Sequence, residues 1–430
     1  MAYGSSLAAQ DDPPAMRKKR GAFYTPPVLA NFIAEWAIRS SHDCVLEPSC
    51  GEGAFILAAA RRLDSLGLDS SKLPAHLHAC ELHDISARQA SERLSAQGYS
   101  CAVETCDFLS KTAQPTFDAV IGNPPFQRFQ TISADTRDCA NAISRETGVP
   151  FNALTSSWVP FTVHATSFLA SGGCLGLVLP AELLAVNYAA PVRSFLMSSF
   201  ASIQLVTFEE RVFPEVQEEV VLLLADGYHE GSAGCLQWRQ CRNLEDLDTT
   251  AMSDYAPRSR AERWSPMLAP AEARRSLESL LAHDFCPLET WGTISLGAVT
   301  GRNSFFALTK TEVEQLGLSR ESLIPLCPPG SQHLRRLSFE KTDWEHLKDA
   351  DKRSWLFWPN RIDAQSLSQA ERRYVEQGVS TKVSTAYKCR NRSPWWRVPL
   401  TNKADAFITY MNSFGPNICT NDADVYHLNS

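Results

Sequence analysis

One stretch of the sequence reads Phe117-Asp118-Ala119-Val120-Ile121-Gly122-Asn123-Pro124-Pro125-Phe126, an apolar run that stops at an amide, two prolines and an aromatic ring. The apolar residues predict a strand buried on both faces, as in parallel sheets. Proline lacks an N–H group and restricts the backbone, so the strand must end there. The stop leaves carbonyl acceptors and the Asn123 side chain at the sheet edge, an arrangement that suits a planar –NH₂ group.

Six further apolar runs accompany this strand, and the seven alternate with helix-like stretches. The seven runs are Cys44 to Leu46, Leu77 to Leu82, Cys101 to Cys106, Phe117 to Ile121, Gly173 to Leu179, Ile203 to Phe208 and Val220 to Ala225. Apolar residues recur at helical spacing in 54–66, 85–97, 157–170 and 189–200, and Pro26-Pro27 begins another helix that reaches about Arg39. The alternation predicts an α/β fold with a seven-stranded, parallel, Rossmann-like sheet wrapped by helices.

The pattern changes after Asp226. Residues 228–290 are polar and irregular, and the later strand-like runs are Ile294 to Phe306 and Trp355 to Trp358. We therefore expect a mobile tail over residues 1–20, a first domain over 21–245 and a C-terminal mixed α+β domain over 246–430.

The amino-acid composition limits the kinds of protein that this chain can be. The chain has 430 residues, 44% hydrophobic and 21% charged, which is typical of a globular protein. It has no signal-peptide pattern and no apolar run of about 18 residues, so we expect a cytoplasmic protein without a membrane span. Its 13 cysteines include no C-x-x-C pair, and His76, His78 and His83 lack ligand spacing. We expect reduced thiols and no bound metal.

Acidic and basic residues are distributed unequally between the two halves of the chain. Residues 1–230 carry 16 basic and 25 acidic side chains, whereas 231–430 carry 25 basic and 23 acidic ones. Residues 380–404 contain no Asp or Glu, and their six Lys and Arg side chains alternate with aromatic rings. This stretch is the predicted polyanion-facing surface.

A glycine-rich turn joins the first predicted strand to a helix in Val45-Leu46-Glu47-Pro48-Ser49-Cys50-Gly51-Glu52-Gly53-Ala54-Phe55. Its spacing differs from G-x-G-x-x-G and from the P-loop, so it favours a nucleoside with an amino-acid tail over NAD or a nucleotide triphosphate. Glu81 and Asp107 end the next two strands. We expect Glu81 to accept ribose hydroxyls and Asp107 to accept an adenine amino group, with Phe108 covering the ring.

These motifs resemble, in order and spacing, those of γ-class adenine-N6 DNA methyltransferases from type II restriction–modification systems. They are Gly21-Ala22-Phe23-Tyr24-Thr25-Pro26-Pro27, Glu47 to Gly53, Glu81, Asp107-Phe108 and Asn123-Pro124-Pro125-Phe126. The resemblance covers residues 21–226. It implies a monomer that binds S-adenosylmethionine, methylates the adenine N6 amino group in duplex DNA, and so protects the site from a separate cognate endonuclease.

The resemblance also implies roles for single residues. The implied cofactor-binding residues are Thr25, Glu47, Ser49, Gly51, Glu81, Asp107 and Phe108. Asn123 and the Pro124 carbonyl would hold the target amino group, and Phe126 would stack on the flipped base. Residues 210–214 resemble a later segment that covers the other face of the base, so Phe213 is the second stacking candidate. Many members have Tyr where this chain has Phe126, a change that keeps the ring and loses the hydroxyl.

The second half resembles a target-recognition region in residues 299–306 and 387–396. The DNA-binding candidates are Arg302, Asn303, Lys388, Arg390, Arg392, Trp395, Trp396 and Arg397. Duplex DNA is favoured because it needs phosphate contacts for register and base-edge contacts for sequence, and a large second domain can supply both.

Alternatives remain open, because the Asn-Pro-Pro-aromatic motif also occurs in methyltransferases that act on RNA amino groups and on protein glutamine. RNA is the main alternative, since the basic and aromatic stretch would also stack unpaired bases. A built-in nuclease is disfavoured, because none of the 11 lysines has Asp or Glu two positions before it. A non-catalytic binding module would not need Asn123 together with the cofactor-site acids.

Overall fold

The structure, a computed structural model, describes residues 25–428 except 102, 128–132, 153–154, 214–218, 248, 284, 410–414 and 416. The expected mobile tail over residues 1–20 lies outside the described residues, as do Gly21 to Tyr24. The chain divides into two compact units, a first unit over Met1–Asp284 and a second unit over Phe285–Ser430.

A nine-stranded sheet forms the centre of the first unit. Its strands are β1 Val45–Glu47, β2 Leu77–Glu81, β3 Val103–Thr105, β4 Phe117–Gly122, β5 Leu169–Pro180, β6 Phe200–Phe208, β7 Val220–Tyr228, β8 Leu236–Cys241 and β9 Ser253–Tyr255. The strand order is β3-β2-β1-β4-β5-β7-β6-β8-β9. Strands β3, β2, β1, β4 and β5 pair in parallel, whereas β7 is antiparallel to both of its neighbours.

The predicted α/β fold is confirmed, and all seven predicted strands are present. Two details differ. The strand β7 is reversed, because the 209–219 connection is shorter than the dozen or so residues that a parallel crossover needs. The sheet also has nine strands rather than seven, since β8 and β9 form within the stretch expected to be irregular. The strand β8 buries Leu236 and Cys241 but leaves its middle residues partly exposed, so it lacks the apolar run of a central strand.

Helices cover both faces of this sheet. The helices of the first unit are α1 Pro27–Ala37, α2 Ala54–Ser65, α3 Leu73–His76, α4 Asp84–Ser95, α5 Ala134–Thr147, α6 Trp158–Thr166, α7 Glu182–Ala185, α8 Ala190–Ser199 and α9 Ala271–His283. The predicted helices correspond to α1, α2, α4, α6 and α8. Successive residues of β4 belong to different core clusters: Ile121 packs in the cluster of Ile33 from α1, and Val120 packs in the cluster of Trp158 from α6. The central strands are therefore buried on both faces, as their continuous apolar sequences predict.

The second unit is a mixed α+β structure, as predicted. Its strands are β10 Ala307–Leu308, β11 Leu323–Pro325, β12 Trp355–Phe357, β13 Ala406–Thr409 and β14 Asn417–Thr420, and its helices are α10 Asn303–Phe306, α11 Lys310–Leu316, α12 Lys341–Asp349, α13 Gln369–Ser380 and α14 Tyr387–Arg390. The strands β10, β12 and β11 form an antiparallel sheet, and β13 pairs with β14.

One predicted strand of the second unit is present and the other is wrong. The run that begins at Trp355 is β12, whereas the run from Ile294 to Phe306 ends in α10 instead of forming a strand. Gly297 and Gly301 interrupt that run, and Gly301 has a φ of +84°, which is outside the strand region.

The first unit extends beyond residue 245, where we expected the first domain to end, because β9 and α9 belong to it. The functional division after residue 245 therefore stays a prediction. Among the helices that the structure describes, none combines the length and the apolar character needed to cross a membrane.

Candidate active site

Four polar side chains lie at the carboxyl ends of neighbouring strands. In sheet order they are Asp107 after β3, Glu81 at the end of β2, Glu47 at the end of β1 and Asn123 after β4. Because these strands are parallel, their carboxyl ends meet at one edge, which is the usual ligand position in open α/β sheets. The fold thus brings four of the predicted site residues together.

The turn between β1 and α2 depends on two glycines with positive φ, +51° at Gly51 and +82° at Gly53. A Cβ at Gly53 would lie only 3.0 Å from the Cβ of Ala90 in α4. The backbone N–H of Cys50 donates to the carbonyl of Cys80 at 2.9 Å, which fastens the turn to β2. The turn therefore runs close to the strand ends, with a backbone that a ligand can approach.

Glu81 holds the same turn through both carboxylate oxygens. Its Oε2 accepts the Gly51 N–H at 2.8 Å, and its Oε1 accepts the His83 N–H at 3.0 Å. The side chain is buried. Each carboxylate oxygen has a second lone pair, so Glu81 can still accept the hydroxyls of a sugar while it holds the turn.

Glu47 is buried, and its Oε2 has no hydrogen-bond donor within the described part of the chain. Burial raises the pKa of Glu47 well above its usual value; the Ile56 N–H counters part of that rise, and the neighbouring Glu81 adds to it. A buried oxygen without a donor is unfavourable unless a ligand completes its hydrogen bonding. Glu47 therefore suits a ligand group that is cationic or carries N–H donors.

The side chain of Asn123 is held from one end only. Its Nδ2 donates to Oγ1 of Thr25 at 3.2 Å, and Ser49 Oγ donates to the Asn123 backbone carbonyl at 3.3 Å. The Asn123 Oδ1 is buried, and no described residue donates to it. Asn123 therefore presents a fixed, unused acceptor beside the acidic residues of this edge.

Two serines that the sequence analysis missed hold the main chain around Phe126. Ser157 Oγ donates to the Pro125 carbonyl and accepts the Gln127 N–H at 2.8 Å. Ser156 Oγ donates to the Gln127 carbonyl at 2.9 Å. Both serines directly precede α6, where Ser is common for reasons of helix capping, so the sequence gives no sign of partners about 30 residues earlier.

The aromatic candidates differ in position. Phe126 is partly buried and packs against both core clusters of the first unit, and Phe213 is a buried member of the cluster that contains α1. Phe108 is also buried and packs against Phe161, His164 and Phe168 with ring centroids 4.9 to 5.0 Å apart. In this structure the Phe108 ring is therefore part of the hydrophobic core of the first unit.

Asp107, the acid beside Phe108, has both oxygens engaged. Its Oδ1 accepts the Leu109 N–H at 3.0 Å, and its Oδ2 accepts the hydroxyl of Thr136 at 3.3 Å. The sequence analysis did not single out Thr136, which lies 29 residues away in α5 and has no motif around it. The carboxylate is partly exposed and keeps further lone pairs for a ligand.

In the second unit, the fold brings the two predicted DNA-binding segments together. Arg392 donates from Nη2 to the Thr300 carbonyl, across 92 residues of sequence, and from Nε to the Lys388 carbonyl at 2.8 Å. A Cβ at Gly301 would lie 2.8 Å from the Cβ of Lys388. The glycine therefore permits close packing of the 300–303 turn on α14.

Exposure separates the candidates of these segments into two groups. Arg302, Lys388 and Arg390 are exposed. Arg392 and Arg397 are half-buried, and burial lowers the pKa of both guanidinium groups.

The half-buried and aromatic candidates have partners inside the unit. The Arg397 guanidinium lies 3.2 Å from the centroid of the Trp358 ring and donates to the Pro359 carbonyl. Trp396 is buried, and Trp395 packs 5.7 Å from the ring of Phe305. The amide oxygen of Asn303 accepts the Thr300 hydroxyl at 2.5 Å. The exposed group is therefore the better placed for contact with another molecule.

Comparisons with known proteins agree with this architecture. Residues 73–213 match the family model for the Eco57I restriction-modification methylase, and residues 261–430 match that for the C-terminal domain of type II methyltransferase M.Eco57I. The type II methyltransferase M.AccI of Acinetobacter calcoaceticus is 22% identical over 96% of this chain and 75% of its own length. The type II methyltransferase M.XamI of Xanthomonas campestris pv. amaranthicola is 25% identical over 97% of this chain and 77% of its own length.

The fold also resembles a solved structure, the cryoEM structure of a DrdV–DNA complex. The TM-score is 0.53 at 15% identity, and the match covers 72% of this chain but only 39% of the DrdV chain. At this identity the likeness concerns the fold alone. The two matched family models, by contrast, describe successive parts of one kind of enzyme and extend over both units. Over both units, the chain is therefore identified with the type II restriction-modification methyltransferases, the class to which both matched family models and both of these relatives belong.

Proposed function

We propose that the chain transfers a methyl group from S-adenosylmethionine to the N6 amino group of an adenine that is turned out of duplex DNA. The observation that carries this proposal is the buried Oδ1 of Asn123, which accepts from no described residue and lies at the same sheet edge as the carboxylates of Glu47, Glu81 and Asp107. An exocyclic amino group is the ligand that such an acceptor fits.

The role of Asn123 follows from the electronic structure of that amino group. Its nitrogen lone pair is delocalised into the ring, so it is a poor nucleophile. The Asn123 oxygen and the Pro124 carbonyl, by accepting both N–H groups, would favour a tetrahedral nitrogen with a localised lone pair. That lone pair forms the N–C bond while the S–C bond breaks, and the nitrogen then loses one proton to solvent. Fixed acceptors of this kind act through positioning and electrostatics.

The acids at the strand ends fit the cofactor that this reaction needs. S-adenosylmethionine supplies the electrophilic methyl group, together with a ribose, an adenine and a cationic methionine tail. Glu81 retains acceptor capacity for the ribose hydroxyls, and Asp107 has the same capacity for the adenine amino group. Glu47, with its donor-free oxygen, fits the cationic tail.

Base flipping is part of the proposal because the acceptor atom lies within the unit rather than on its surface. The Oδ1 of Asn123 is buried, so an adenine stacked in a duplex cannot reach it. Rotation out of the stack costs a few kcal/mol. Phe126 and Phe213 are the rings proposed to stack on the flipped base.

The DNA itself would be read by the second unit, where Arg302, Lys388 and Arg390 are exposed. We propose that the chain acts as a monomer on sites that a separate cognate endonuclease cleaves when they are unmethylated. A transfer assay tests the substrate class. Purified chain with S-[methyl-³H]adenosylmethionine should label duplex DNA and leave ribosomal RNA and glutamine-containing peptides unlabelled. Label on RNA alone would favour the RNA alternative instead.

A further inference from the structure

Two thiols and one carboxylate meet on the sheet face that is opposite to Glu81. The Cys80 and Cys106 sulfurs and a carboxylate oxygen of Glu104 all lie within 4.8 Å of one another. Cys80 and Glu104 are register partners on β2 and β3, so they share a face, whereas Glu81 points the other way. Within the described parts of the chain, no second group of three such side chains has this spacing.

We propose that Cys80, Cys106 and Glu104 form a binding site for a thiophilic divalent cation of the zinc class. Two thiolates on a tetrahedral zinc ion lie about 3.8 Å apart, since each Zn–S bond is about 2.3 Å. The observed spacing is within a small side-chain rotation of that arrangement. Two sulfurs and one oxygen supply three ligands, and water can take the fourth position.

The charges of the three side chains and of Lys111 are compatible with a bound divalent cation. Lys111 Nζ lies 2.5 Å from Oε2 of Glu104, and the Cys106 thiol donates a hydrogen bond to the same carboxylate, so a cation would take the place of that thiol proton. With both thiols ionised, the three ligands carry three negative charges, which the divalent cation and the Lys111 ammonium together neutralise. A hard cation such as Mg²⁺ would gain little from the sulfurs, so the donor set favours a soft one.

Binding exchanges two S–H protons for the cation and releases both protons to solvent. Burial raises the pKa of Cys80 to about 12. Cys80 is buried, whereas Cys106 is partly exposed and Glu104 is exposed. The cation therefore has access from the Cys106 and Glu104 side.

A bound cation would strengthen the attachment of the edge strand β3 to β2. The strand β3 has three residues and, within the described part of the sheet, β2 is its one neighbour; Cys106 adds one backbone hydrogen bond to Glu81. A cation shared by Cys80 and Cys106 would tie β3 to β2 directly behind Glu81 and Asp107. It would thereby fix the spacing of these two acids without entering their side of the sheet.

A cobalt titration of the reduced, metal-free full chain tests the site, because tetrahedral Co²⁺ with thiolate ligands absorbs visible light and Zn²⁺ displaces it. We expect one Co²⁺ per chain, and a loss of affinity of at least tenfold in Cys106→Ser and Cys80→Ser. Glu104→Gln should lose less. The matched control is Cys235→Ser, which removes an exposed thiol and should bind as the wild type does.

A second measurement avoids the risk that the buried Cys80 variant fails to fold. Zn²⁺ should protect Cys106 from alkylation in the wild type, and Glu104→Gln, which changes an exposed side chain, should reduce that protection. The proposal is overturned if no thiolate absorption appears, if Cys106→Ser binds as tightly as the wild type, or if Zn²⁺ leaves the alkylation of Cys106 unchanged.

Discussion

The side-chain nitrogen of Asn123 donates a 3.2 Å hydrogen bond to Oγ1 of Thr25. This bond joins residues 98 positions apart, and it decides which end of the amide faces the candidate site. With the nitrogen engaged, the oxygen is the end that remains for a ligand. The resemblance assigns Thr25 to the cofactor site. Thr25 also contacts Asn123, the residue proposed to bind the target amino group.

Replacing Thr25 by Val should slow methyl transfer without abolishing it. The change removes the acceptor that orients Asn123, and one such hydrogen bond contributes about 0.5–1.5 kcal/mol, or roughly a 2- to 10-fold effect on kcat. Thr25→Ser keeps the hydroxyl and should stay near the wild-type rate. Single-turnover kinetics at saturating cofactor separate this effect from cofactor binding. A Val variant as fast as the Ser variant would mean that the bond does not orient the amide.

Glu81→Ala should raise the Kd for S-adenosylmethionine at least tenfold, since each hydroxyl left unpaired costs about 1–3 kcal/mol. Isothermal calorimetry measures the affinity. Glu81 also holds the N–H groups of Gly51 and His83, so thermal unfolding must be followed in parallel. A lower Tm with an unchanged Kd would show that Glu81 acts only as a cap for the turn.

The exposed and half-buried cations of the second unit should respond differently to substitution. Lys388→Ala and Arg390→Ala should each flatten the dependence of log K on log salt for duplex DNA by about 0.9 per phosphate contact, with little change in Tm. Arg392→Ala and Arg397→Ala should lower Tm, because their guanidinium groups hold Thr300 and Pro359. The reverse pattern would move the phosphate contacts to the half-buried pair.

Loss of both stacking rings should separate DNA binding from catalysis. Stacking returns about 1–3 kcal/mol per ring, so a Phe126→Ala, Phe213→Ala double variant should bind DNA but methylate poorly. A mismatch at the target, which lowers the cost of flipping, should partly restore its rate. With the wild type, 2-aminopurine at the target should brighten on binding. An unchanged fluorescence would count against flipping.

The sequence predicts the alternating strands and helices of the first unit. The central strands β4, β5 and β7 are apolar runs because both of their faces are buried. The ends of the parallel strands β1 to β4 bring Glu47, Glu81, Asp107 and Asn123 to one edge. The strands β8 and β9 could not be predicted in the same way, since their partly exposed positions carry polar residues.

Contacts between distant residues also escape the sequence. Nothing in a single chain pairs Ser157 with Pro125, Thr136 with Asp107, or Thr25 with Asn123, because each bond depends on how loops meet in space. The same limit applies to the basic stretch. Its composition indicates a polyanion surface, but only the fold distinguishes the exposed Lys388 and Arg390 from the half-buried Arg392 and Arg397.

The central claim is that Asn123 holds the amino group of an adenine during methyl transfer. Nucleoside mass spectrometry of duplex DNA treated with the wild type and with Asn123→Ala, each shown by calorimetry to bind S-adenosylmethionine, tests it most directly. We predict N6-methyladenine with the wild type and a rate lower by about 10²-fold or more with the variant, the size of effect that removing an electrostatic stabiliser has elsewhere. A methylated cytosine as the wild-type product, or N6-methyladenine formed equally fast by Asn123→Ala, would contradict it.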